Sequence, residues 1–206
     1  MYLILRKRIA ADKRILIIVF YSVCIFLILF FDPPINERLK STLYTIVEFS
    51  FFCLIIYQQL KAKKQKLITL LLYFVFLVLQ VIHYFNFKRT RLDSIPIGIE
   101  TILIFIFITF YVHEQLKDEK QFFSTTNYFF LIIIGLLIYL GGSFFIYLLA
   151  NNLDYNELKT YWPITYIVEL IKNILFSIAI YKFSVELNKK KKKNIDNNLP
   201  NLDFTL

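Results

Sequence analysis

The sequence predicts an all-α fold, a polytopic transmembrane bundle of about six helices, and three observations predict it. First, 58% of the 206 residues are hydrophobic and 18% are aromatic, with a mean hydropathy of +0.59. That is more apolar side chain than a soluble core of this size can hide. Second, the apolar residues fall into six stretches that meet or approach the roughly 20 residues needed to cross a hydrocarbon layer as helix. Third, the cations that give the chain its net charge of +9 sit in short runs between those stretches, as in proteins that obey the positive-inside rule. Nucleic acid is therefore not the expected partner; the lipid bilayer is.

The spans fall at about 15–31, 43–60, 67–86, 97–116, 127–150 and 164–187. The first is followed by Asp32, Pro33 and Pro34 rather than by a small-residue cleavage site, so it reads as a retained helix and not a signal peptide. Between the second and third lies Lys61 to Lys66, and between the third and fourth lies a loop holding Lys88, Arg89 and Arg91. Lys117 and Lys120 follow the fourth. Trp162 and Pro163 open the last span, where an indole suits the interface and a Pro in the first turn costs no hydrogen bond. Residues 1–187 form one helical domain, and 188–206, rich in Lys and Asn, read as a disordered basic tail.

Counting Lys and Arg in the connections puts sixteen on the side of the two termini and six on the other. This bias places both termini in the cytoplasm. The loop with three cations at 88–91 is the place where that topology is under most tension. A faint internal repeat accompanies it. Ile46-Val47-Glu48, Gly98-Ile99-Glu100 and Ile167-Val168-Glu169 each precede a tyrosine, at Tyr57, Tyr111 and Tyr181, as three related helical hairpins would.

At 1.5 Å per residue, Glu48, Gln80, His83, Glu100 and Glu169 all fall roughly 5–10 Å below the outer ends of their helices, with Lys172 nearer the midplane. Ionised groups at such depth cost on the order of a few kcal/mol against lipid, so they are expected to face the interior, pair, or line a wet cavity. Glu169 and Lys172, three residues apart, share a helix face, and Asn173 and Ser177 extend the polar seam. The cluster is either a structural ion pair with Asn173 as hydrogen-bonding glue, or a ligand site open to the outside. Gly135, Gly141, Gly142 and Ser143 on the fifth span make a small-residue surface for close helix packing.

Cys24 and Cys53 lie within apolar stretches with no companion thiols, and they read as packing residues. His113 and Glu114 sit together at a helix exit without a second histidine at metalloprotease spacing, and they read as a solvated end. No motif calls for a metal, a cofactor or a nucleophile, so a non-enzymatic role is expected.

The segments Asp93-Ser94-Ile95-Pro96-Ile97-Gly98-Ile99-Glu100, Tyr139-Leu140-Gly141-Gly142-Ser143-Phe144-Phe145 and Ile171-Lys172-Asn173-Ile174-Leu175-Phe176 carry a resemblance. They resemble a family of small multi-pass membrane proteins of Bacteroidota that is itself similar to the membrane sensor portions of two-component histidine kinases. The resemblance spans roughly residues 67–187 and implies a bacterial inner membrane and a signalling role. With no kinase domain after the short tail, output would pass through a cytoplasmic protein partner or a homo-oligomer. Three functions follow in order of expectation: a sensor or regulatory module, an oligomeric pore-forming or membrane-perturbing effector of a bacterial defence system, and a small transporter.

Overall fold

The computed structural model describes residues 13–30, 37–86, 94–117 and 128–198, with side chains described over 16–28, 38–86, 94–117 and 128–185. Six helices account for all of these residues but the connections 58–62 and 150–154: α1 Lys13–Phe30, α2 Glu37–Tyr57, α3 Lys63–Asn86, α4 Ser94–Lys117, α5 Tyr128–Leu149 and α6 Tyr155–Asn198. The last five are long and apolar enough to cross a membrane, and in α1 the stretch whose side chains are described, Leu16–Ile28, is apolar as well. Residues 1–12, the loop with Lys88, Arg89 and Arg91, and Lys120 lie outside the described residues, as does the tail from 199 onward.

The helices extend past the apolar spans because polar flanks propagate them. Glu, Lys and Arg are good helix formers, so α2 begins six residues before Leu43, at Glu37, and α3 begins at Lys63. The largest departure is α6. Trp162 and Pro163 do not open it; the helix starts at Tyr155, and Pro163 lies inside it. The start is set by a capping box in the preceding loop. The Asp154 carbonyl accepts from Leu158 N–H at 2.9 Å, and the Glu157 carboxylate accepts from the Asp154 N–H at 3.1 Å. Pro163 then costs one bond, to the carbonyl four residues back, in a stretch where most side chains are exposed.

At its other end α6 continues to Asn198, through the lysine run where the sequence predicts a disordered tail. Lys is a favourable helix residue, and neither Gly nor Pro interrupts the chain before Pro200.

Sequential helices neighbour one another, and α2 also packs on α4, so α2, α4 and α5 form the interior. α3 is peripheral, with Leu67, Leu71, Phe74, Val78 and Phe85 turned outward, as expected of a helix whose solvent is lipid. α5 packs most extensively on α6. Gly135 and Gly142 permit this: a Cβ on Gly135 would lie 3.3 Å from the Phe176 ring, and one on Gly142 would lie 2.5 Å from Val168 Cγ1. Gly141 looks elsewhere, with Phe105 of α4 at 3.9 Å, while Ser143 is buried and hydrogen-bonds back to the Tyr139 carbonyl at 2.6 Å.

At the Lys61 end, His113 is exposed, but Glu114 is not simply solvated. Its carboxylate accepts from the N–H of Lys61 at 2.6 Å and of Ala62 at 2.9 Å, just ahead of the first turn of α3. A carboxylate there satisfies amides that the helix cannot and meets the positive end of its dipole. Replacing Glu114→Ala should therefore lower stability by about 1 kcal/mol and speed hydrogen exchange at the amides of 61 and 62, whereas Lys117→Ala should leave both unchanged. Equal exchange in the two variants would refute the capping role.

Candidate functional site

The most deeply buried charged side chain among the described residues is Lys172 of α6, 1% exposed. Its Nζ lies 3.1 Å from the Tyr21 hydroxyl of α1, 3.7 Å from Glu48 Oε1 of α2, and 3.8 Å from the centre of the Tyr139 ring of α5. Four helices thus meet on one ammonium. Glu48, itself 5% exposed, accepts from Tyr21 Oη at 3.0 Å on Oε1 and from Tyr139 Oη at 3.2 Å on Oε2. Each phenol therefore does two things. Tyr21 accepts from the ammonium and donates to the carboxylate; Tyr139 donates to the carboxylate and offers its π face to the cation. A phenol has one donor and two acceptor lone pairs, so both assignments are chemically complete. The cation–π contact, away from water, adds on the order of 2 kcal/mol to a pair whose direct N–O distance is long for a hydrogen bond.

The partner of Lys172 is Glu48 and not Glu169. Glu169 is only half-buried, and Asn173 and Ser177 are exposed, Ser177 donating to the Asn173 carbonyl at 2.8 Å. The seam predicted to point inward is split. Residue 173 lies 100° round the helix from 172, and the face that turns inward carries Val168, Lys172, Phe176, Ala179 and Phe183.

Above this network, toward Lys40 and Trp162, opens a cavity of about 310 Å³. α2 contributes Lys40, Ser41, Tyr44, Thr45 and Glu48; α4 contributes Ile97, Glu100 and Thr101; α5 contributes Tyr139, Leu140, Ser143 and Tyr147; Ile28 and Trp162 complete the wall. Trp162 stands edge-on to Tyr147, ring centres 5.8 Å apart. Near the mouth, the Ser94 hydroxyl bonds to the Tyr147 carbonyl at 2.6 Å and accepts from Asn151 at 2.8 Å, tying the start of α4 to the end of α5. Beneath Glu48 the interior is filled. Phe49, Phe52, Ile104, Phe107, Ile132 and Leu136 are fully or almost fully buried, and Phe49 packs against Phe76 with ring centres 4.0 Å apart. The cavity has a floor.

Of the residues singled out by sequence, the structure brings Glu48 and Glu100 to the cavity wall and Lys172 behind it, against Glu48 and Tyr139. Gln80 and His83 lie elsewhere, beside a smaller space of about 180 Å³ between α3 and α4, lined also by Phe76, Leu79, Ile82, Ile95, Pro96 and Ile99. Arg38 closes that corner by donating to the His83 carbonyl at 3.0 Å and resting 5.0 Å above the Tyr84 ring, a cation at a helix C-terminus. Gly135 and Gly142 serve the α5–α6 contact, Gly141 faces α4, and Ser143 faces the cavity. The repeat motif does not give equivalent environments either: Tyr111 is buried, Tyr57 half-buried and Tyr181 exposed. Cys24 and Cys53 are free thiols, half-buried and buried. Among the described residues no group of His, Cys, Asp and Glu could hold a metal.

What the sequence reading missed is the tyrosines. Tyr21, Tyr44, Tyr139 and Tyr147 make or line the site, yet with 14 tyrosines in the chain none stands out by type. The available signal was placement: Tyr21 and Tyr139 lie mid-helix, where a phenol needs a partner, and not at the ends where interfacial tyrosines gather. Comparison with family models, curated proteins and solved structures finds no match.

Proposed function

We propose that the chain is a non-enzymatic receptor module of a bacterial cytoplasmic membrane. In this reading it takes a small ligand into the cavity from the extracytoplasmic side and passes the bound state to a cytoplasmic partner protein or a second copy. The observation that carries the reading is the form of α6. It supplies Trp162 to the cavity wall and Lys172 to the wall residues Glu48 and Tyr139 from behind, then continues unbroken to Asn198. Its 44 residues amount to about 66 Å at 1.5 Å each, more than twice the hydrocarbon thickness. A shift of this helix at the cavity moves its far end, and that end carries the lysine run Lys189 to Lys193.

Two further features support reception over conduction. The filled interior beneath Glu48 and Lys172 offers a single chain no aqueous path across. The Lys and Arg asymmetry supports a cavity mouth on the extracytoplasmic side and a lysine run in the cytoplasm, at the anionic leaflet. The resemblance to membrane sensor portions fits the same reading.

Two measurements test it. Purified protein in vesicles should leave ion gradients and trapped dye intact, and a leak would favour a pore. In the native host, Thr101→Phe fills the cavity without touching the far end of α6. At matched abundance it should give a transcript profile different from the parent, either that of the deletion or a constitutive one. A profile identical to the parent would overturn the reading.

A further inference from the structure

Resting on the reading of the cavity as a receptor site, we propose that the ligand it takes is a small organic ammonium ion. Its cationic head would seat against Glu100, between aromatic walls.

Glu100 carries the argument. It is 3% exposed, it lines the cavity, and its Oε1 has no hydrogen-bond partner. The neighbouring carboxylate is already served, since Glu48 holds two phenol donors and the Lys172 ammonium. Lys172 is likewise committed, to Glu48, Tyr21 and the Tyr139 ring. The deep end of the cavity thus contains a carboxyl group with an unsatisfied oxygen, in a place where a missing partner is costly. A ligand that donates hydrogen bonds and carries positive charge supplies what is lacking. Lys40, eight residues before Glu48 and so about 12 Å higher on α2, is at the mouth and leaves the deep end acidic.

The walls select the kind of cation. Tyr44, Tyr147 and Trp162 line the same space as Glu100, and aromatic rings attract alkylammonium groups, which shed water far more readily than a small inorganic ion does. The volume of about 310 Å³ is at the low end for ligand pockets and limits the occupant to a small amine. An anion meets two carboxylates and is refused.

Trp162 is the sole tryptophan of the chain and lines the cavity, so its fluorescence reads occupancy directly. Full-length protein in nanodiscs would be titrated with choline, with phenethylammonium, with 3,3-dimethylbutanol as the neutral isostere of choline, with benzoate and with potassium ion. The expected result is saturable quenching or shift with one or both ammonium ions and not with the other three. Glu100→Gln should weaken the effect about tenfold or more. Should that variant fail to fold, Tyr147→Leu should weaken the response to the ammonium ions, and undiminished binding by it would count equally against the proposal. Equal binding of 3,3-dimethylbutanol, benzoate or potassium ion, or undiminished ammonium binding by Glu100→Gln, would overturn the proposal. So would no response to either ammonium ion. In each case the transcript profile of Thr101→Phe still decides the receptor reading independently.

Discussion

Lys172→Met should destabilise the folded bundle by about 3–5 kcal/mol, the size of effect expected when one member of a buried ion pair is removed and the other stays. Three losses combine. Glu48 keeps its two phenols but loses its cation, Tyr21 loses the ammonium that its oxygen accepts from, and the Tyr139 ring loses its contact at 3.8 Å. Methionine is close to lysine in length and unbranched, so little of the effect comes from a void. Glu48→Leu should cost a similar amount, since it strands the ammonium. The double variant should be more stable than either single one, because no lone charge then remains inside; what persists is the cost of two phenol hydroxyls without their partner, about 1–3 kcal/mol each. Unfolding by SDS in mixed micelles would measure all three. A Lys172→Met protein within 1 kcal/mol of the parent would mean that the network contributes little to the fold.

Gly142→Ala should destabilise, although alanine is the better helix former by about 1 kcal/mol. The added methyl would sit 2.5 Å from Val168 Cγ1, and α5 and α6 must separate or Val168 must turn. Overpacking of this kind costs about 1–3 kcal/mol, which exceeds the propensity gain. Gly142→Leu should go further and prevent the two helices from closing. Val168→Ala removes the obstructing methyls and should make Gly142→Ala tolerable. Gly141→Ala is the internal comparison: its nearest neighbour, at 3.9 Å, is in ordinary contact, so it should be neutral or slightly stabilising. Thermal unfolding in detergent separates these cases, and equal behaviour of the two alanine variants would show that the close approach at Gly142 does not hold the pair together.

Much of the architecture was legible because membrane spans are written in composition. Six apolar stretches gave six helices, and the depth argument brought Glu48, Glu100 and Lys172 to neighbouring levels before any contact was known. The pairing was not legible. Spacing favours Glu169 for Lys172, since i and i+3 share a face, but the face that turns inward is fixed by how α6 lies against α5. There Gly135 and Gly142 admit Phe176 and Val168. With those two pointing inward, Lys172 follows, whereas Asn173 turns away. Likewise Gln80 and Glu100 lie on adjacent helices at similar depth yet face different spaces, a matter of rotation about the helix axis that hydropathy does not encode. The start of α6 was misread for a simpler reason: a Trp-Pro pair marks an interface, whereas the Asp154 and Glu157 capping box marks the helix.

The charge network also has a consequence for biosynthesis. Tyr21 and Lys172 are 151 positions apart, and the helix bearing the cation leaves the ribosome after the other five. Until then Glu48 and Glu100 reside in a bundle of five helices that lacks its buried cation. Completion of α6 supplies the cation for Glu48 and, through Tyr21, a tie between the sixth helix and the first.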